Sequence, residues 1–271
     1  MPNKKITVIG AGHLGSALIR GLIKSGYPKQ SITVSNRDPQ KAVRLVSELG
    51  VLTNANNIQA IEHAEIIVLA VKPQFMREVC EEIASTVQKS QPLIISLAAV
   101  TELDNMALWL GGPHLEIVRI MTNTPMEFCK GISALFANSQ VTPEQKERAE
   151  ALFNAVGSSF WVDNELMLDK VTAAIGSAPA YVFLFMEALQ KAAMSRGIPE
   201  QLAEQIALEV VSGSAELARH SGHTFAYLRE GVTTPHGVTA HSLKKLSTDA
   251  FFASFNEVYR AAEERIIEIK G

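Results

Sequence analysis

Only two cysteines occur in the sequence, Cys80 and Cys129, and no CxxC spacing relates them. That scarcity argues against a disulfide framework or a cysteine-based zinc site and fits reduced thiols in a cytoplasmic compartment. Basic runs are missing as well. Lys and Arg number 25 against 28 Asp and Glu, a formal net charge of -3, so the chain lacks the footprint of a protein that neutralises many phosphates, and nucleic acid is not an expected partner. The start, MPNKKITVIG, is basic, but its apolar run meets glycine almost at once, unlike a secretory leader. The longest uncharged apolar stretch lies between Lys170 and Glu187 and is shorter than the ~20 residues that cross a bilayer, so no membrane partner is expected. Internal repeats and low-complexity tracts are absent, and no metal site is expected.

What is present is apolar residue enough to bury a core, 47% of 271 residues, and length enough for one large domain or two ordinary ones. Over about the first 160 residues, short β-branched runs (KITVIG, SITVSN, EIIVLAV, PLIISLA) alternate with helical patterns such as LGSALIRGLIKSG and PQKAVRLVSELG. Such alternation predicts a parallel sheet covered by helices, an α/β fold. From about Leu166 the strand signal ends and long helical segments follow, among them PEQLAEQIALEVVSGSAELARHSG and SFNEVYRAAEERIIEIKG. The stretch SSFWVDNEL, with turn-forming Asp163 and Asn164, marks the expected division into residues 1–163 and an all-helical 164–271.

Gly10-Ala11-Gly12-His13-Leu14-Gly15 matches G-x-G-x-x-G, follows KITVI directly and opens a helical pattern. In that setting the first glycine makes a tight turn, the second lets backbone approach a pyrophosphate, and the third lets helix and strand pack closely. The helix start adds free N–H groups and a positive dipole, so a Rossmann-type dinucleotide site is expected. A turn used for packing alone is the competing reading, and His13 within it reads as filler. About 20 residues on, where an NAD enzyme places an acid on the ribose 2′-hydroxyl, the sequence has Ser35-Asn36-Arg37. With no carboxylate at the strand tip to repel a 2′-phosphate, an arginine to pair with it and two residues to donate hydrogen bonds, NADP is expected, with NAD as second choice and Asp38 as the residue that would blunt the preference. The competing reading makes Arg37 a solvated charge and Asp38 the cap of a helix begun by Pro39.

VIGAGHLGSALIRGL, SNR, LAVKPQ, MTNTP, GSAPAYVFLFMEAL and VTTPHGVT follow one another along nearly the whole chain. Together they resemble the pyrroline-5-carboxylate reductase family, which completes proline biosynthesis. The resemblance implies an N-terminal NADP-binding Rossmann domain and a helical C-terminal domain that dimerises by intertwining, giving a homodimer and beyond it a decamer of dimers. It implies a small cyclic imino acid as substrate and NADPH as the reductant of its C=N bond. Further cofactor contacts are expected at Asn57, at Ala70-Val71-Lys72-Pro73 after the third strand, where strand ends meet the nicotinamide in this fold, and at Asn123 with Thr124 after EIVRIM. Each of these also reads as ordinary turn or helix-flank chemistry.

Reducing a C=N bond by hydride requires a placed nicotinamide, a placed imine and a proton on nitrogen, so positioning carries much of the rate. A cyclic imine is basic enough to be protonated partly by solvent. What must be recognised is the substrate carboxylate. N–H groups of Gly237, Val238 and Thr239 ahead of HSLKKL, with the Thr234 hydroxyl, would make an anion cradle without Lys or Arg. The resemblance places substrate contacts there and makes Thr239 the hydrogen-bond or proton donor to the imine nitrogen. On spacing alone the segment also reads as a helix cap with Pro235 and Gly237 shaping a turn.

The chain departs from the family where MPNTP, GSGPAY and SPGGTT are usual: it has Thr122, Ala178, and Thr234-Pro235-His236-Gly237-Val238-Thr239. His236 adds a Cβ where the backbone needs positive φ or close approach, which would deform the cradle or add a titrating contact. Gly176-Ser177-Ala178-Pro179 reads as a helix start, and AYVFLFM after it as a buried segment in the dimer core. Two other readings stay open. One is an imine or β-hydroxyacid reductase on the same scaffold, prompted by Lys170, although the residue four places on is Ala174 and not Asn. The other is a dinucleotide-binding sensor weakened by these departures.

Overall fold

The computed structural model describes residues 4–246 and 248–270. The chain divides into two compact units, Met1–Pro179 with Glu263–Gly271, and Ala180–Ala262.

In the first unit the β-branched runs form β1 (Ile6–Ile9), β2 (Ile32–Ser35), β3 (Leu52–Thr53), β4 (Ile66–Leu69), β5 (Leu93–Ser96), β6 (Ile117–Met121), β7 (Gly131–Ala137) and β8 (Gly157–Trp161). They lie in the order β3-β2-β1-β4-β5-β6-β7-β8. The first six are parallel, as alternation with helices requires. β7 pairs antiparallel with β6, and β8 parallel with β7. The sheet is therefore parallel through β6 and mixed beyond it, because a five-residue 3-10 turn, Thr124–Phe128, returns the chain beside β6 without a crossover helix.

Helices cover both faces. On one lie α1 (His13–Lys24), α2 (Pro39–Leu49) and α6 (Pro143–Asn154), which bury Leu18, Leu22, Leu45, Leu152 and Phe153 against Val8, Val34 and Ile120. On the other lie α3 (Asn57–Ile61), α4 (Pro73–Ser90) and α5 (Leu103–Trp109). Met76, Val79, Cys80, Ile83 and Val87 of α4 repeat at helical spacing and are all buried, each worth about 1.5–3 kcal/mol on apolar burial. Cys80 and Cys129 are free thiols. The helix ends follow their cap residues. Asp38 accepts from the Gln40 N–H ahead of α2, whose C-cap Gly50 takes φ +71, and Thr142 with Gln145 forms a capping box on α6.

After β8, Asn164 caps α7 (Glu165–Thr172) through the Met167 N–H at 2.8 Å. A π-helical turn, Ala173–Ser177, leads into α8 (Ala178–Met194), so the helix is continuous from Glu165 to Met194. Leu168 and Ile175 pack with Met121 and Ala134 on the sheet, and compactness accordingly divides the chain at 179/180, beyond the 163/164 turn marked in the sequence. Among the described residues this is the one helix long and apolar enough, by length and composition, to cross a membrane.

Arg119 of β6 is buried at 1% exposure. Its Nη1 donates to Glu165 Oε1 and its Nη2 to Asp169 Oδ1, both at 2.7 Å. Lys270 adds bonds to Asp169 Oδ2 at 2.5 Å and Glu102 Oε1 at 2.8 Å. Burial opposes the Lys270 ammonium, but hydrogen bonds and charges from Asp169 and Glu102 outweigh it and raise its pKa.

The second unit holds most of α8 with α9 (Glu200–Ser221), α10 (Phe225–Gly231), α11 (Val238–Leu246) and much of α12 (Thr248–Lys270). Among its described residues only Ala203 and Ala207 are buried. Phe183, Leu184, Phe225 and Phe252 are exposed, so AYVFLFM, expected to be buried, is uncovered within the single chain. Helices that bury so little alone need a partner surface.

Candidate active site

A cleft of about 970 Å³ opens at the C-terminal ends of β1, β4, β5 and β6, where the strand order reverses between β1 and β4. This is the crevice in which open α/β sheets place ligands. Gly10 has φ +107, and a Cβ on it would lie 2.6 Å from the Ala70 carbonyl oxygen; one on Gly15 would lie 2.0 Å from the Gly10 oxygen. These two glycines permit the turn and the close packing. Gly12 differs: a Cβ there would meet nothing within 4 Å, and it faces the cleft. As N-cap of α1 it carries no side-chain cap, so the N–H groups of His13 and Leu14 have no intrahelical acceptor and are available to an anion. His13 is exposed at this lip.

Ala70, Val71, Lys72 and Pro73 line the same cleft, with Lys72 as N-cap and Pro73 in the first turn of α4. Asn123 and Thr124 line it from the tip of β6. The Asn123 side chain is committed, its Oδ1 accepting from the Ile132 N–H at 3.1 Å, so it braces β7. Thr122 forms a buried hydroxyl pair with Ser133 at 2.8 Å, which accommodates the departure from proline. Thr122, a departure expected to touch the site, and Gly176 with Ser177, expected as site wall, line the cleft, and lining that the sequence did not single out includes Leu97–Ala99 after β5, Arg20, Arg44 and Glu127. Small residues Ala98 and Ala99 at a strand tip beside the switch point were the available signal. Val100 after them is β-branched at φ +61, a conformation costing about 1–3 kcal/mol. Ala178 has φ -55, ordinary helix that requires no glycine.

Ser35, Asn36, Arg37 and Asn57 gather at the tip of β2, outside the lining of that cleft. The Ser35 hydroxyl donates to Asn57 Oδ1 at 2.6 Å, and Asn57 Nδ2 to Glu82 Oε2 at 2.7 Å. Ser35 thus spends its one donor inside the protein, not on a 2′-phosphate as expected. Asn36 braces the glycine loop: its Oδ1 accepts from the Ala11 N–H at 2.9 Å and its Nδ2 donates to the Asp38 carbonyl at 2.8 Å. Arg37 is largely exposed, with Nη2 2.6 Å from Glu78 Oε1 and its guanidinium 4.9 Å from the Phe75 ring centroid.

In the second unit, residues 234–237 form a turn closed by the Gly237 N–H donating to the Thr234 carbonyl at 3.0 Å. His236 has φ +61, the conformation anticipated for a glycine position. A Cβ on Gly237 would lie 2.3 Å from Thr234 Oγ1, so the hydroxyl folds over the turn. The turn is intact, but one expected cradle donor, Gly237 N–H, is spent in closing it. Val238 and Thr239 begin α11, are exposed, and keep the unpaired N–H groups of a helix start. Lys170 is exposed on α7.

Residues 165–269 match the family described as pyrroline-5-carboxylate reductase dimerisation, and residues 5–100 match NADP oxidoreductase coenzyme F420-dependent. A pyrroline-5-carboxylate reductase from Pseudomonas aeruginosa is 36% identical over 99% of this chain and 98% of its own. The solved pyrroline-5-carboxylate reductase of Coxiella burnetii superposes with a TM-score of 0.90 at 37% identity, covering 99% of each chain. That of Plasmodium falciparum, with NADP bound, does so at 0.89 and 26% identity, covering 100% of each. Likeness of this extent reaches well past the nucleotide-binding half into the helical one, and the chain belongs to the pyrroline-5-carboxylate reductase family.

Proposed function

We propose that this chain reduces 1-pyrroline-5-carboxylate to L-proline with NADPH, as the last step of proline biosynthesis. The observation that carries the reading is the 36% identity, end to end, with a relative of that name. The glycine loop fits the cofactor, since the open space at Gly12 and the free first turn of α1 are what a pyrophosphate requires. NADPH held there would supply hydride to the imine carbon. His13 and Leu14 N–H groups hold the pyrophosphate, Arg37 meets the 2′-phosphate, and the main chain of Ala70–Pro73 and Asn123 supports the nicotinamide end. Val238 and Thr239 N–H groups with the Thr234 hydroxyl bind the substrate carboxylate. The Thr239 hydroxyl donates to the imine nitrogen, orienting it and assisting its protonation. The functional division lies at 163/164, the enzyme works in the cytoplasm, and its assembly is a homodimer extended to a decamer of dimers; the exposed apolar helices of the second unit support dimerisation.

Thr239→Ala tests the mechanism. Turnover of pyrroline-5-carboxylate, followed by nicotinamide absorbance, should fall roughly 10- to 100-fold, as expected for one hydrogen bond to a nitrogen that gains negative charge as hydride arrives, while NADPH binding is retained. Unchanged turnover removes Thr239 from the chemistry. A panel of other imines and keto acids with NADPH, and of hydroxyacids with NADP+, run beside it tests the substrate: faster nicotinamide turnover with one of these displaces pyrroline-5-carboxylate, and cofactor binding without turnover across the panel identifies a sensor.

A further inference from the structure

Ser35-Asn36-Arg37 at the tip of β2 holds no carboxylate, and Asp38 after it is turned to capping α2, yet α4 brings two carboxylates to the tip. Glu78 Oε1 lies 2.6 Å from Arg37 Nη2. One helical turn on, Glu82 accepts from Asn57, which in turn accepts from Ser35. Phe75, one turn before Glu78, lies against the Arg37 guanidinium and fixes where it points. Arg37 and Glu78 are each nearly two-thirds exposed, at 65% and 63%, so their pairing is weak and a 2′-phosphate, with more charge and several acceptor oxygens, takes Arg37 from it. Glu78 is then left as an unpaired negative charge beside a dianion. NADH carries only a 2′-hydroxyl there, which leaves the Arg37–Glu78 pair intact.

We infer that Glu78 is a specificity-determining residue that acts through Arg37 and sets how strongly the enzyme prefers NADPH to NADH. The inference rests on the reading above that Arg37 meets the 2′-phosphate. A carboxylate and a dianion that compete for one guanidinium in screened water repel enough to weaken binding roughly 3- to 10-fold.

Dissociation constants of NADPH and NADH, measured by nicotinamide fluorescence on the intact assembled protein, decide the matter. Glu78→Gln should tighten NADPH roughly 3- to 10-fold and change NADH less than about twofold, the difference shrinking as salt rises. Glu81→Gln is the control, because Glu81 pairs with Arg77 within α4 at 2.7 Å and its loss changes the net charge equally. An NADPH-to-NADH ratio unmoved by Glu78→Gln, or moved as far by Glu81→Gln, overturns the inference. Arg37→Gln separates the two layers. If it weakens NADPH selectively while Glu78→Gln leaves the ratio in place, the role of Arg37 stands and that of Glu78 falls; if it leaves the ratio in place, both fall.

Discussion

Arg119→Ala deletes the one fully buried cation among the described residues and strands the groups it holds. The guanidinium makes two bonds of 2.7 Å, to Glu165 and to Asp169, the latter only 7% exposed. Breaking a buried pair by removing one partner costs about 3–5 kcal/mol, because the other charge stays behind without compensation. Two contacts temper the loss. Lys270 still pairs with Asp169, and the Leu103 N–H still donates to Glu165 at 3.1 Å, so we expect the lower part of the range, about 3–4 kcal/mol. For a chain of this size that lowers the melting temperature by roughly 6–15 °C. Thermal and urea denaturation at one fixed protein concentration measure it, since assembly makes stability concentration-dependent. The triple variant Arg119→Met, Glu165→Gln, Asp169→Asn should recover more than half of the loss, because α7 then presents no uncompensated acid to the site that Arg119 occupied. A single variant within about 1 kcal/mol of the parent, or a triple variant worse than the single, refutes this account of the cluster.

Two substitutions in the glycine loop should part company. Gly10→Ala drives a Cβ to 2.6 Å from the Ala70 oxygen and should lower the melting temperature, whereas Gly12→Ala meets no protein atom within 4 Å and should leave it unchanged while weakening NADPH binding roughly tenfold or more. Equal melting temperatures for the two variants would contradict the division of roles. Lys270 has a folded-state pKa above its ordinary value, so its contribution is full below about pH 10.4 and is lost as pH rises through the folded value. Stability of the parent should therefore fall more steeply above about pH 10.4 than that of Lys270→Met; parallel alkaline profiles would remove the linkage.

Five strands were legible because KITVIG, SITVSN, EIIVLAV, PLIISLA and EIVRIM are β-branched and buried on both faces, as parallel strands are. β3 is two residues long, too short to leave a pattern. β8, GSSFW, is the edge strand, with no buried residue, and β7, GISALFA, although mostly buried, carries glycine, serine and alanine that imitate a loop. The glycine loop, Ala70–Pro73 and Asn123 were legible as cleft residues because each sits at a strand tip, whereas Ala98 and Ala99 offer only backbone and shape. Other features depend on partners remote in sequence. Glu78 lies 41 residues from Arg37, and Asp169 lies 50 from Arg119. No local pattern announces such pairs. The spending of Gly237 N–H on Thr234 was hidden for another reason: the same four residues would serve as a turn or as a cradle, and only coordinates tell which donors remain.

The sparse interior of residues 180–262 bears on biosynthesis. This half emerges from the ribosome after the strands of the first unit, displaying Phe183, Leu184, Phe225 and Phe252 with little interior of its own to hide them, and apolar surface of that kind aggregates when left waiting. Yield on expression then depends on how quickly sister chains meet. Slow translation from sparse message should leave more polypeptide to chaperones and proteases than an equal mass of chain made in a burst.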